Sequence, residues 1–245
     1  MPREPLILLL RPHPVDIGPL SEAGVVAAIP VLRIVPNEAA ITEIAQSLHN
    51  CDWLVLTSPR APSMLSRIKE AILRATSKGL RIAVVGPRTA EKLREEIGVE
   101  PDLIPRKYTG RVLAEELAKQ NPGCVLLARS EKATRDLIEV LRDNGIAYIE
   151  VQLYSAEPLR ELARAAATIA DSFDYVVFTS PSVATTFFKE YGREPSFTPV
   201  AIGPTTARTL RSLGLGNVLI PDEYTLQGIA ELISRHWARK TRNKH

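Results

Sequence analysis

The stretch "AIGPTTARTLRSLGL", residues 201–215, has a near twin in "AVVGPRTAEKLREEIGV", residues 83–99, and the pair decides how the whole chain is read. Each copy writes a buried strand, a Gly-Pro turn, a threonine and an amphipathic helix in the same order. Working outward, "DWLVLTSPRAPSML" (52–65) matches "DYVVFTSPSVATTF" (174–187), and each precedes its Gly-Pro segment. Downstream, "DLIPRKYTGRVLAEEL" (102–117) answers "NVLIPDEYTLQGIAEL" (217–232), with Pro105 and Tyr108 facing Pro221 and Tyr224. At the front, "LILLLRP" (6–12) resembles "CVLLARS" (124–130), each ending on an arginine. Matches kept in one order along the chain make it two copies of one unit.

Each copy holds short apolar runs rich in Val, Ile and Leu, of the kind expected for strands buried on both faces of a parallel sheet. Strands are predicted at 6–11, 27–35, 53–57, 81–85 and 102–104 in the first copy. Their counterparts are 124–129, 147–154, 175–179, 199–202 and 217–220. Helical patterns separate them; "ATRDLIEVLRDNG" places Leu137, Val140 and Leu141 on one face and stops at Gly145. Strands alternating with helices predict an α/β fold of doubly wound parallel-sheet type, built twice.

The second run of each copy, "AAIPVLRIVP" and "AYIEVQLYSAEP", is longer than a buried strand needs, and both end at a proline. Such segments can leave one domain and enter another. The expectation is therefore a discontinuous domain of residues 1–34 and 157–245, an inserted domain of residues 37–153, and a two-stranded ribbon hinge where the chain crosses and returns.

Composition narrows the function. The chain has 245 residues, 45% of them hydrophobic, which suffices for a real core, and its formal net charge is only +3. "MPREPLILLLRP" carries an apolar run too short for secretion or for crossing a membrane and reads as the first strand. Cys51 and Cys124 lie far apart and form no C-x-x-C, so neither a disulfide framework nor a zinc site is indicated, and a reducing, cytoplasmic setting is expected. The basic tail "RHWARKTRNKH" reads as a solvated terminus. There is no G-x-G-x-x-G after the first strand, no phosphate-binding loop of the G-x-x-x-x-G-K-[ST] type and no G-x-S-x-G elbow. His13, His49, His236 and His245 are scattered without metal-ligand spacing.

The repeated turns offer a site. In "LTSPR" and "FTSPS" a strand ends at Thr-Ser, and Ser-Pro supplies an N-cap followed by proline at the first helical position. In the Gly-Pro turns, Gly86 and Gly203 permit close backbone approach, and Thr89, Thr205 and Thr206 bring hydroxyls beside unpaired backbone N–H groups. Capping alone would account for all of these, and for Ser58 it is the favoured reading. Their position argues for more, because all follow the carboxyl ends of parallel strands, where open α/β sheets bind ligands and free N–H groups favour anions. A ligand with many carboxylates suits such an edge better than a single phosphate. Two readings compete with an enzyme: a hinged binding protein for an anionic metabolite, and a nucleic-acid partner using the tail.

On "VVFTSPSVATTFF", "VAIGPTTARTLRSLGL", "IAVVGPRTAEKLREEIGV", "IPRKYTGRVLAEEL", "LLARSEKATRDLIEVLRDNGI" and "VQLYSAEP", the chain resembles the uroporphyrinogen III synthase family over nearly its whole length. The resemblance implies two doubly wound domains joined by a two-stranded ribbon, and a cyclising lyase that converts hydroxymethylbilane to uroporphyrinogen III with inversion of ring D and loss of water. It implies no cofactor, no metal, no nucleic acid and no membrane, a monomer, and hand-over of the small-molecule substrate from hydroxymethylbilane synthase. Carried over by motif, Tyr154 is the proton donor to the departing hydroxyl; packing at the hinge is its alternative role. Thr179, Ser180, Pro181 and Ser182, with Gly203, Thr205 and Thr206, match the binding turns of the discontinuous domain. Arg11, Ser58, Gly86 and Thr89 complete the expected substrate-binding set, and Tyr108 is a weaker candidate. Ser155 and Ala156 stand where many relatives carry Arg-Thr or a similar pair, so a second polar group beside Tyr154 is missing.

Overall fold

A computed structural model describes residues 3–13, 16–131 and 133–242. The last three residues of the basic tail, His245 among them, lie outside the described residues, as does Lys132. Along the chain come β1 (Leu6–His13), β2 (Val25–Pro36), α1 (Glu38–Ser47), β3 (Trp53–Leu56), α2 (Arg60–Leu65), α3 (Lys69–Thr76), β4 (Arg81–Val84), α4 (Pro87–Glu96) and α5 (Gly110–Ala118). Then follow β5 (Cys124–Ser130), α6 (Asp136–Asp143), β6 (Ala147–Pro158), α7 (Arg160–Ile169), β7 (Tyr175–Phe178), α8 (Pro181–Tyr191), β8 (Thr198–Ala201), α9 (Pro204–Ser212) and α10 (Leu226–Arg242). The contacts divide the chain into unit 1, Met1–Ile34 with Glu157–His245, and unit 2, Val35–Ala156.

In unit 1 the strand order is β2-β1-β7-β8, and in unit 2 it is β6-β5-β3-β4. The registered pairs are all parallel. Counted by place in the sequence repeat, both orders read second, first, third, fourth, an arrangement of the doubly wound type. Each unit therefore takes its first two strands from one copy of the repeat and the next two from the other. The exchange follows from β2 and β6, which run on past the point where a buried strand would stop and carry the chain out of one unit and into the other.

Strand composition explains the layers. In β1, Leu8 and Leu10 join Val176 and Phe178 of β7 under Ala163, Ala166, Val183, Phe187 and Leu210 of the covering helices. The alternate positions Ile7 and Leu9 join Tyr175 and Val177 on the other face, closed by Ile229 and Ile233 of α10. Period-two alternation in a wholly apolar strand thus feeds two cores at once. In unit 2, Val55, Ala83, Val125 and Leu127 pack beneath Leu113, Leu117, Leu137 and Leu141, and the intervening Leu54, Leu56, Leu126 and Ala128 are equally buried. The helix starts are those expected of the sequence: the Ser180 side chain accepts from the Val183 N–H, Thr109 from Val112, and prolines open α4, α8 and α9.

Two expectations need correction. Residues 102–104 and 217–220 are not strands; each contributes a single parallel bridge, Leu103 to Ala83 and Leu219 to Val200. Pro105 and Pro221, which have no N–H to donate, stand where each ladder would continue. Cys51 and Cys124, read as giving no disulfide framework, form a disulfide with their Cα atoms 4.4 Å apart. Their separation of 73 in the sequence conceals that they precede or open neighbouring strands β3 and β5. Asp52 ties the same ends together, its carboxylate accepting from the N–H groups of Gly123 at 2.6 Å and Cys124 at 3.0 Å.

In unit 1 a single carboxylate organises the turn between α7 and β7. Asp171 accepts from the Tyr191 hydroxyl, from Arg193 Nε at 2.7 Å and from Ser196. Desolvation raises its pKa, but these hydrogen bonds outweigh that and hold it at about 2, against an ordinary value of 3.8. The folded state favours the charged form, so the stabilisation is present above the unfolded pKa and disappears as pH falls through the folded one. Asp171→Asn is expected to lower the melting temperature at neutral pH, with the difference from the parent narrowing between pH 3.8 and about 2. Calorimetry across that range checks it; a difference independent of pH would contradict the assignment.

Candidate functional site

At the carboxyl ends of β3 and β5 in unit 2 lies a cavity of about 260 Å³, with Thr57, Ser58, Arg129, Ser130, Thr134 and Tyr154 in its wall. Tyr154 is only 7% exposed and donates its hydroxyl to Ser58 Oγ at 3.0 Å. Ser58 Oγ also accepts from the Arg60 N–H at 3.2 Å. The Ser-Pro sequence predicts Ser58 as the N-cap, but the N-cap of α2 is Pro59, one residue on; Ser58 Oγ instead holds the Arg60 N–H, the first of the helix, together with the tyrosine. The β5–β6 register shifts between Arg129 and Ser130, which puts Ser130 opposite Tyr154. Shifts of this kind re-aim side chains at a strand end.

Arg129 is the side chain that sequence reasoning left out of the site. Only 2% exposed, it donates through Nη2 to the Thr134 carbonyl, while Nε and Nη1 are buried without a hydrogen-bond partner among the described residues. Burial pushes its pKa down, opposed chiefly by Glu150 and Asp136. The available signal is the arginine near the end of the first strand of each copy, of which the expected site includes only Arg11. Arg11 donates through Nη1 to the Asp16 carbonyl, and its buried Nε likewise has no partner among the described residues.

In unit 1 the Thr179 amide and hydroxyl both reach the Leu10 carbonyl, at 3.3 and 3.0 Å, joining the ends of β7 and β1. Ser180 caps α8, accepting from the Val183 N–H at 3.3 Å; Pro181 follows it, and Ser182 is half-buried. Gly203 opens α9, and Thr205, exposed, accepts from Arg208 at 3.3 Å. Thr206 and its repeat partner Thr89 are 3% and 1% exposed, tucked into the first turns of α9 and α4.

The two tyrosines of the repeat have a shared use. A Cβ at Gly86 would stand 3.2 Å from Tyr108, and one at Gly203 would stand 3.4 Å from Tyr224. Each turn glycine thus makes room for a ring from the following segment, although Tyr108 and Tyr224 remain 62% and 55% exposed. Tyr224 packs on the turn that opens α9. Among the described residues no group of three or more His, Cys, Asp or Glu could hold a metal ion.

Helix starts, hydroxyls and buried guanidinium groups stand at the carboxyl ends of the parallel strands of this α/β protein, the edge at which open α/β sheets commonly bind ligands. The family model described as uroporphyrinogen-III synthase HemD matches residues 20–231. A Methanocaldococcus jannaschii protein, provisionally named uroporphyrinogen-III synthase, is 33% identical over 213 residues, covering 83% of this chain and 85% of its own. Two solved structures share the fold at lower identity. A mutant uroporphyrinogen III synthase from Thermus thermophilus has a TM-score of 0.69 and 16% identity, covering 97% of this chain and 99% of its own. The Helicobacter pylori uroporphyrinogen-III synthetase has a TM-score of 0.62 and 19% identity, covering 94% and 97%. The chain belongs to the uroporphyrinogen-III synthase family.

Tyr154→Phe and Ser58→Ala are expected to be coupled in stability. The coupling in a double-variant cycle, read by urea denaturation, should be about 0.5–1.5 kcal/mol, the net contribution of one hydrogen bond. Strictly additive losses would show that the contact contributes nothing.

Proposed function

We propose that the chain closes hydroxymethylbilane, a linear tetrapyrrole bearing many carboxylates, to uroporphyrinogen III with inversion of ring D and release of one water. The observation that carries this reading is Tyr154, hydrogen-bonded to Ser58 in a cavity at the strand ends, within a chain of the uroporphyrinogen-III synthase family. Expulsion of the ring A hydroxyl leaves an azafulvene. The substituted carbon of ring D attacks it, and the resulting spiro intermediate reopens and closes to the inverted macrocycle. Tyr154 turns its hydroxyl proton from Ser58 Oγ to the departing oxygen, and the Ser58 hydroxyl then donates to the phenolate oxygen left behind.

Without guidance the bilane closes to the type I isomer, so the enzyme has to select a route as well as speed one. Each tenfold preference requires about 1.4 kcal/mol of differential barrier. On this reading the preference comes from positioning and electrostatics, shared among many modest donors. The free N–H groups at the starts of α8 and α9, with Ser182, Thr205 and Arg11, receive acid side chains on unit 1; the turns at Ser58 and Gly86 do so on unit 2, while Thr206 and Thr89, buried in the first turns of α9 and α4, hold those turns in shape. The enzyme is then a cyclising hydro-lyase, a cytoplasmic monomer without a cofactor, supplied by hydroxymethylbilane synthase. The strands β2 and β6 serve it as a ribbon hinge.

The deciding experiment supplies freshly generated hydroxymethylbilane, oxidises the products and separates the porphyrin isomers. Dominant type III is expected; type I alone, from protein shown to be folded, overturns the reading. Ser180→Ala and Thr206→Ala should each lower turnover by about tenfold or less, the scale of one hydrogen bond. Tyr154→Phe should lower it by about 10- to 100-fold, at the low end for a general acid. Abolition of activity by one of these hydroxyl deletions, with folding intact, would contradict distributed binding.

A further inference from the structure

We propose that Arg129 is a carboxylate receptor, its guanidinium taking one acid side chain of the tetrapyrrole into the cavity of unit 2. The proposal deepens the cyclase reading and rests on it for the identity of the ligand. Burying a guanidinium is costly unless its donors are used. Arg129 is 2% exposed, yet Nε and Nη1 have no hydrogen-bond partner among the described residues. Among the described residues Nη2 alone is engaged, by the Thr134 carbonyl.

The neighbouring carboxylates do not complete the fork. Glu150 stands 3.6 Å from Nε, beyond hydrogen-bond range, and is shared with Arg135 Nη1 at 3.2 Å. Asp136, in the cavity wall, is already used: it accepts from the Thr134 hydroxyl and from the Arg111 N–H at 3.2 Å. The arginine therefore has its charge partly compensated and its donors unspent. A cavity of about 260 Å³ has room for an acid side chain and falls short of the roughly 300–1,000 Å³ typical of sites that enclose a whole drug-sized ligand.

The sequence repeat supports the assignment independently. Arg11 lies near the end of the first strand of its copy as Arg129 does in the other, and each stands just before a register shift, Arg11/Pro12 and Arg129/Ser130. Both keep a buried Nε without a partner among the described residues. One device made twice suits a ligand that carries several carboxylates. A planar fork serves it better than an ammonium, because two parallel N–H bonds fix a carboxylate in direction as well as place.

Three variants test the proposal: Arg129→Met, Arg129→Lys and Glu150→Gln, each assayed with hydroxymethylbilane for kcat, KM and isomer ratio, alongside circular dichroism and melting. Arg129→Met should raise KM by about tenfold or more, with a smaller fall in kcat, as expected on losing a charge-assisted pair. Arg129→Lys should recover part of the loss. Glu150→Gln removes the competing carboxylate and should lower KM, a direction that structural damage would not produce. An unchanged KM in folded Arg129→Met, or a raised KM in Glu150→Gln, overturns the proposal. Should Arg129→Met fail to fold, the lysine and glutamine variants decide. If the parent makes only the type I isomer, the cyclase reading fails separately. Binding of uroporphyrin III, followed by fluorescence, then tests the arginine: about tenfold weaker binding by Arg129→Lys supports the receptor, and equal binding rejects it.

Discussion

Parallel pairing of β1 with β7, and of β5 with β3, is the constraint on which the rest of the structure depends. Each pair joins strands from different copies of the repeat, and each brings their carboxyl ends to one edge. The Leu10 carbonyl accepts from both the amide and the hydroxyl of Thr179, so the edge of unit 1 is closed by the threonine that precedes the Ser-Pro helix start. The corresponding edge of unit 2 brings the end of β3 beside Arg129. Without cross-copy pairing, neither arginine would stand beside a Ser-Pro helix start.

Repetition here preserves a packing device as well as a fold. A turn glycine that lets a tyrosine ring settle on it occurs in both units, as do a threonine buried in the first turn of the next helix and an arginine before a strand-end register shift. Chemistry has been added asymmetrically to this common frame. Tyr154 and its bond to Ser58 belong to unit 2, whereas in unit 1 Ser180 is engaged in capping α8. A frame with many equivalent donors and few specialised ones suits a reaction whose main difficulty is holding a flexible polyanion in one of two possible closures.

Local order decides how much of this could be read in advance. Strands of unbroken apolar residues, helix starts marked by Ser-Pro and Gly-Pro, and the repeat that orders them are patterns of period and adjacency, so the α/β class, eight of the ten expected strands and the family are legible in the order of residues alone. It also singled out β2 and β6 as unusually long. Two short segments were overread as strands because apolar character signals burial, whereas a ladder also needs consecutive N–H donors, which the flanking prolines interrupt.

Contacts made across long stretches of chain were decided only by the tertiary structure. The Tyr154–Ser58 bond spans 96 residues and the Cys51–Cys124 bond spans 73, and no local pattern encodes either. The unspent donors of Arg129 are a property of the space around it, since the letter R near a strand end reads the same whether its guanidinium lies in water or is buried in the wall of a cavity. Sequence records which groups a residue brings; burial, set by how distant strands pair, decides which of those groups remain free to act.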